Sequence, residues 1–427
     1  MKTMHYKDYN ETHHQFLLHQ RLPVHIISKP NYSKTYVTLT TPLGANHQGY
    51  YDAFNQKQLV PSGIAHFLEH KIFEYDGNDI SSAFSQTEAS INAFTEYTKT
   101  TYLFHATNYL NENIKRLVEM VFFPKFTAIG IEKEKNIIQE ELNMYLDNPY
   151  YLQYKEIIQD MYQNHPIKED ILGNKQSIHA ISYEACKAMH EAYYQPELCR
   201  LIIIGNVDPK ALKKMLETEV ILPKITTLSP IELSYPENAH VNQYYRELFL
   251  DVLKPAVLMG IKLDPNMNLP AHDRVKKQLV FTMFCDLMLG KNSDLYEELM
   301  NAELINDSYG LDISFEKDHA YAFVSSETDN PEALHLALKQ QLANISNFII
   351  NPDDFHRIQK QMIGSFIQSL DSLEYVSNQM NRYLQDGLIF YDVVSIAQAI
   401  TYHEVQALAH PWIQENQIST VIVYPKK

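Results

Sequence analysis

Residues 62–73 read SGIAHFLEHKIF, an apolar run that carries two histidines and a glutamate. Ser62 and Gly63 are residues that open helices, and those after them are good helix formers. At 3.6 residues per turn, His66 and His70 fall on one face, one turn apart. Two imidazoles so placed can share one Zn²⁺ through ring nitrogens at about 2.0–2.1 Å. Glu69 lies between them on that face and can reach a water on an open metal position as a general base. The pattern is H-x-x-E-H, the reverse of the commoner H-E-x-x-H.

By chance such a five-residue pattern arises in about one chain in twenty, so its surroundings must decide. Ile64, Ala65, Phe67, Leu68, Ile72 and Phe73 make the helix apolar around most of its circumference, which predicts burial. Buried histidines and a buried acid need partners, and one metal ion satisfies all three. A catalytic zinc site also needs a third protein ligand and an open position. Residues 131–149, IEKEKNIIQEELNMYLDNP, supply one on a helix. There Glu134, Ile137, Ile138, Glu141 and Tyr145 form a stripe at helical spacing, while Glu140 projects elsewhere. Glu141 is the expected third ligand and Glu134 its supporting acid.

The chain has 427 residues, 45% of them hydrophobic and 21% charged, enough for two or three globular domains. No stretch approaches the ~18 apolar residues of a membrane span, and no secretory signal opens the chain. Three scattered cysteines, Cys186, Cys199 and Cys285, argue against a disulfide framework and point to a cytoplasmic protein. The net charge of −16 excludes the basic footprint that nucleic acid requires. No glycine-rich phosphate loop is present.

Three prolines within 223–241, PKITTLSPIELSYPENAHV, mark a linker, placed at 226–241 between domains 1–225 and 242–427. The two sides share an order of elements. Each opens on β-rich segments (QFLLHQRLPVHIISKP and KTYVTLTTPLGA; YYRELFLDVL and AVLMGIKL). Each then has a strand pair (SINAFTEY and TTYLFHAT; DSYGLDISF and AYAFVSSET), then helices, and closes on an apolar strand (LCRLIIIGNV; STVIVYP). The expected fold class is α+β, with two similar domains, each a mainly antiparallel sheet with helices packed on it.

HFLEH, then SINAFTEYTKTTYLF, then EKEKNIIQEELNM resemble the pitrilysin/insulinase family of zinc metallopeptidases, in its short bacterial form. The likeness runs through most of residues 15–220, and Glu141 falls 71 residues after His70, near the family's spacing. It implies a clam-shell of two α+β domains that encloses peptides. It implies one Zn²⁺ per chain on His66, His70 and Glu141, Glu69 as catalytic base, and Glu134 as a supporting catalytic carboxylate. It also implies that the strand Ser90–Thr95 pairs with substrate backbone through Ser90, Asn92, Ala93, Phe94 and Thr95. The expected activity is endopeptidase hydrolysis of peptides or unfolded segments; the alternative is a non-catalytic scaffold subunit that keeps the fold.

One departure stands out. Family members that cut peptides unaided hold the substrate carbonyl with an Arg and a Tyr in the second domain. The matching stretch, 294–311, DLYEELMNAELINDSYGL, has Met300 and Asp307 at those positions, with Tyr309 nearby. The expectation is a dimer, or a hetero-oligomer in which a metal-less paralogue supplies the missing grip.

His5, His13 and His14 read as a surface cluster, and His165 and His179 as structural histidines. Cys199 and Cys285 read as core packing.

Overall fold

The computed structural model describes residues 1–75, 77–232, 235–264, 269–409 and 413–426. The first compact unit is built on seven strands. They are β1 (Lys2–Tyr6), β2 (Glu11–Leu18), β3 (Leu22–Ser28), β4 (Thr35–Thr41), β5 (Ala89–Thr95), β6 (Thr100–Ala106) and β7 (Arg200–Gly205). Their order in the sheet is β1-β2-β3-β7-β4-β6-β5. Only β3 and β7 run parallel; the other pairs are antiparallel. Ile202, Ile203 and Ile204 make β7 a continuous apolar run, as a central strand covered on both faces requires. β5 lies at the edge, bonded to β6 alone.

The second unit has five strands, β8 (Tyr245–Leu250), β9 (Ala256–Leu263), β10 (Gly310–Phe315), β11 (Ala320–Glu327) and β12 (Ile418–Pro425), in the order β8-β12-β9-β11-β10. Its first and last strands pair in parallel, and the rest are antiparallel. That is the connectivity of β3 to β7 in the first unit, so the repeated order of elements is a repeated topology.

The units do not follow a single cut at 226–241. The first comprises Met1–Leu142, Glu169–Leu233 and Ser369–Gln385; the second comprises Asn143–Lys168, Ser234–Gln368 and Asp386–Lys427. Residues 233 and 234 of the expected linker lie outside the described residues. Four helices matter below: α1 (Ile64–Ile72), α2 (Ala128–Leu146), α3 (Pro149–Met161) and α4 (Leu373–Leu384).

Helix α3 starts at Asn148, whose Oδ1 accepts the Tyr150 and Tyr151 N–H groups, with Pro149 in the first turn. It packs on β9 and β12, where Gln153 Nε2 donates to the carbonyls of Ala256 and Val421, each at 2.9 Å. Gly260 permits that approach, since a Cβ there would stand 2.5 Å from Met161 Sδ. Helix α4 packs on β4 and β7 of the first unit. Its Ser377 Oγ lies 3.0 Å from Thr38 Oγ1, and its Asn381 Oδ1 accepts from Arg200 Nε at 3.2 Å. Each sheet is therefore completed by a helix from the opposite part of the sequence.

Among the described residues no helix is long and apolar enough to cross a membrane. All three cysteines are free and buried. His5 and His14 sit on the β1–β2 ribbon beside Thr12 and Thr3. His13 corrects the surface reading: it is fully buried, its Nε2 is 3.0 Å from His25 Nδ1, and the two rings stack. Burial, then the neighbouring histidine, pushes His13 down to about 4.

Helix α1 begins at Gly63, whose φ of +86° is open to glycine at no steric cost, and an added Cβ would stand 2.4 Å from the Leu172 carbonyl. The loop around Leu172 thus closes directly on the start of the helix. Gly63→Ala is expected to destabilise the protein by more than ~1 kcal/mol, read as a lowered urea midpoint; an unchanged midpoint would contradict this account of the turn.

Candidate metal centre

Helix α1 lies against β5, β6 and the helix Tyr183–Tyr193, all within the first unit. Its apolar residues are swallowed by that packing, and His66 and Glu69 go with them, whereas His70 stays half-buried. Helix α2 lays a second wall beside it. The rings of His66 and His70 are 4.6 Å apart between centroids. Glu141 faces both: His66 Nε2 is 3.9 Å from its Oε1, and His70 Nε2 is 3.5 Å from its Oε2. Glu140, its neighbour, is exposed.

These separations are too long for good hydrogen bonds. They are near the spacing of ligands around a small cation, for which bonds of about 2.0–2.1 Å at tetrahedral angles put donor atoms about 3.3 Å apart. One ligand atom from each of the three residues lies within 4.8 Å of the other two. Burial first, then the neighbouring His70, pushes His66 down to about 3, so it is a neutral imidazole, the form that ligates a metal. Its Nδ1 is buried with no hydrogen-bond partner among the described residues. The residues present fit a metal of zinc's type.

The supporting contacts have the polarity a metal site needs. His70 Nδ1 donates to Glu134 Oε1 at 3.1 Å, which leaves the Nε2 lone pair for the metal side. Glu134 Oε2 accepts from Lys71 Nζ at 3.0 Å, and Lys71 also pairs with Glu74. Burial raises Glu134, but the His70 and Lys71 bonds outweigh it and hold the carboxyl below its usual range. Burial lowers His70, and the Glu134 bond with the surrounding acids more than reverses that. Thr95 Oγ1, at the end of β5, donates to Glu69 Oε2 at 2.6 Å. Burial raises Glu69, and the Thr95 bond opposes this without cancelling it.

The expected strand residues lie on β5, which runs past this cluster with one side unpaired. Ser90 and Asn92 are exposed, while Ala93, Phe94 and Thr95 are half-buried. The Ala93 N–H donates to Asn92 Oδ1 at 2.9 Å, so that donor is turned away from β6. Two parts of the arrangement were missed in the sequence. A lysine inside an apolar helix signals a buried ion pair, so the role of Lys71 was there to be found. The Thr95–Glu69 bond had no sequence signal, because strand and helix meet only in the fold. Ile137, expected on the inward stripe, is 53% exposed, while Ile138 carries the core contact.

A second cluster meets the same distance criterion, His165, Asp318 and His319, all in the second unit and all buried. Its hydrogen bonds run the wrong way for a metal. His165 Nδ1 accepts the Ile167 N–H at 3.1 Å, so the proton of the neutral ring sits on Nε2, which faces Asp318 Oδ2 at 3.4 Å. His319 Nδ1 lies 2.8 Å from Asp318 Oδ1. Burial raises Asp318, and the two imidazoles more than reverse it, leaving the carboxyl far below its usual range. This is a carboxylate clamp that ties the loop after α3 to the β10–β11 turn.

The positions expected for a second-domain grip hold no arginine. Met300 is 38% exposed, and Asp307 is exposed. Tyr309 is buried, and its hydroxyl is spent on the Leu289 carbonyl at 2.5 Å.

Residues 57–175 match the family model for insulinase, peptidase family M16, and residues 180–362 match the M16 inactive domain. A Bacillus subtilis protein named uncharacterized zinc protease YmfH is 31% identical over 428 residues, covering 100% of both chains. A second B. subtilis relative, named uncharacterized zinc protease YmxG, is 22% identical over 84% of this chain and 88% of its own. The crystal structure of an M16-like peptidase from Alicyclobacillus acidocaldarius superposes with a TM-score of 0.90 at 25% identity, covering 97% of this chain and 99% of that one. A Helicobacter pylori protease shares the fold at a TM-score of 0.80 and 18% identity, covering 97% and 99%. The two models together with the full-length relative establish that the chain belongs to the M16 (pitrilysin/insulinase) peptidase family.

Proposed function

We propose that the protein is a zinc-dependent endopeptidase that hydrolyses peptides or unfolded segments, with His66, His70 and Glu141 as metal ligands and Glu69 as the catalytic base. The observation that carries this reading is the convergence of one ligand atom from each of these three residues beside a carboxylate held by Thr95. Zinc held there would supply Lewis acidity toward a carbonyl and toward water. Glu69 has Oε2 occupied by the Thr95 hydroxyl, which leaves Oε1 to take a proton from the attacking water and hand it to the departing amine nitrogen. Glu134 keeps the His70 ring turned with Nε2 toward Glu141, and Lys71 keeps Glu134 ionised. A peptide added along the free side of β5 would bond main chain to main chain, its carbonyl replacing Asn92 Oδ1 on the Ala93 N–H.

The absent arginine and the buried Tyr309 support a further part of the proposal: full activity requires a metal-less paralogue. Proteolysis by the lone chain at the rate of the mixed pair would end that part. Glu69→Gln is expected to keep its metal and lose roughly 10²–10⁴-fold in turnover; undiminished cleavage would remove Glu69 from its role. Metal analysis should find one zinc per chain, lost in His66→Ala and His70→Ala and bound about 10–100-fold more weakly in Glu134→Gln. The same analysis of His165→Gln should still find one, because the clamp in the second unit binds none. Two metals per wild-type chain would overturn the hydrogen-bond argument.

A further inference from the structure

Beside the metal cluster, and wholly within the first unit, lies a cavity of about 590 Å³ that shares Glu69 and His70 with it. Phe73 from the end of α1, Ala93 from β5, and Ile129 and Ile137 from α2 line its walls. Ile129 is 71% exposed and Ile137 is 53% exposed, so neither holds the core. They stand two turns apart on one face of α2, with Lys133 midway between them and also lining the cavity. Apolar side chains left open on a concave wall next to reacting groups mark a binding surface.

The charges nearby do not ask for a charged occupant. Glu134 is bonded to His70 and Lys71, Glu74 to Lys71 and Thr127, Glu69 to Thr95, and Asp79 to the Ser81 N–H. Glu74 is accommodated because residue 130 is glycine: a Cβ there would stand 2.0 Å from its carboxylate. Lys133 has no partner among the described residues, and its alkyl stem can cover apolar surface while the ammonium stays at the rim.

We infer that this cavity is the subsite for a large apolar side chain next to the scissile bond, and that Ile129 and Ile137 set its preference. The inference rests on the peptidase reading above and adds the substrate class. Because Glu69 and His70 belong to both the cavity and the metal cluster, a side chain seated there adjoins the reacting carbonyl, with Ala93 on β5 carrying the neighbouring main chain.

The test uses zinc-loaded full chain, with its paralogue where that is needed, and peptides that differ only by Leu or Ala beside the cleaved bond. Mass spectrometry of the products identifies the bond. Wild type is expected to favour the leucine peptide in kcat/KM by roughly tenfold or more. In Ile129→Ser/Ile137→Ser that ratio should fall toward one with the melting temperature unchanged. A wild-type ratio near one, or a ratio that survives the double substitution, overturns the inference. If no peptide is cut at all, the peptidase reading fails, and the cavity is still judged by titrating both peptides onto zinc-loaded Glu69→Gln. Tighter binding of the leucine peptide that is lost on adding the two serine substitutions upholds the subsite, and equal binding refutes it.

Discussion

The buried Lys71 ammonium and the Glu134 carboxylate form the contact on which the candidate centre depends. Lys71 sits on the helix that carries both histidines, and Glu134 sits on the helix that carries the third acid. Their bond fixes the angular setting of one helix against the other at the level of the metal cluster. Removing one partner of such a buried pair costs about 3–5 kcal/mol, because the remaining charge has no water to turn to. Glu134 also accepts from His70, so the same carboxylate sets the helix pair and the ring. Position and protonation are thereby coupled: a helix that slipped by one residue would lose the ion pair and free the imidazole together.

This coupling explains why the first unit can hold its site without the C-terminal half of the sequence lending a ligand. All five residues of the cluster and its support, His66, Glu69, His70, Glu134 and Glu141, lie before the unit boundary at Leu142. That boundary falls inside α2, one residue past Glu141. The remainder of α2 and all of α3 belong to the second unit, where Gln153 bonds to two strands. The second unit returns a helix of its own sequence half, α4, to the first sheet. Each sheet then buries a face that its own half of the chain would leave open, and the two halves of the sequence have to fold in concert.

The parts of this arrangement legible in the sequence are those written locally. Helical spacing put His66, Glu69 and His70 on one face, and a stripe at the same spacing brought out Glu134 and Glu141. Alternation marked the strand at Ser90–Thr95, although only the sheet order makes it an edge. Distant pairings were opaque. An amphipathic helix such as Pro149–Met161 shows which of its faces is apolar but not which sheet will cover it. His13 lay among polar neighbours at the start of the chain, and nothing local announces that it stacks on His25 in the sheet. His165 is separated by more than half the second unit from Asp318, so their clamp is a property of the fold alone.

The two His–acid clusters show what separates a metal site from a hydrogen-bonded one when composition and distance agree. A neutral imidazole has one proton, and whichever nitrogen holds it cannot also ligate. At His70 a carboxylate takes the Nδ1 proton, so the lone pair on Nε2 faces Glu141, and two groups of like polarity stand 3.5 Å apart with nothing between them to favour it except a cation. At His165 a backbone N–H occupies the Nδ1 lone pair, so Nε2 carries the proton toward Asp318 and the contact is attractive as it stands. The first cluster is electrostatically incomplete as a set of protein groups, and the second is complete. Charge, more than spacing, is therefore what singles out His66, His70 and Glu141.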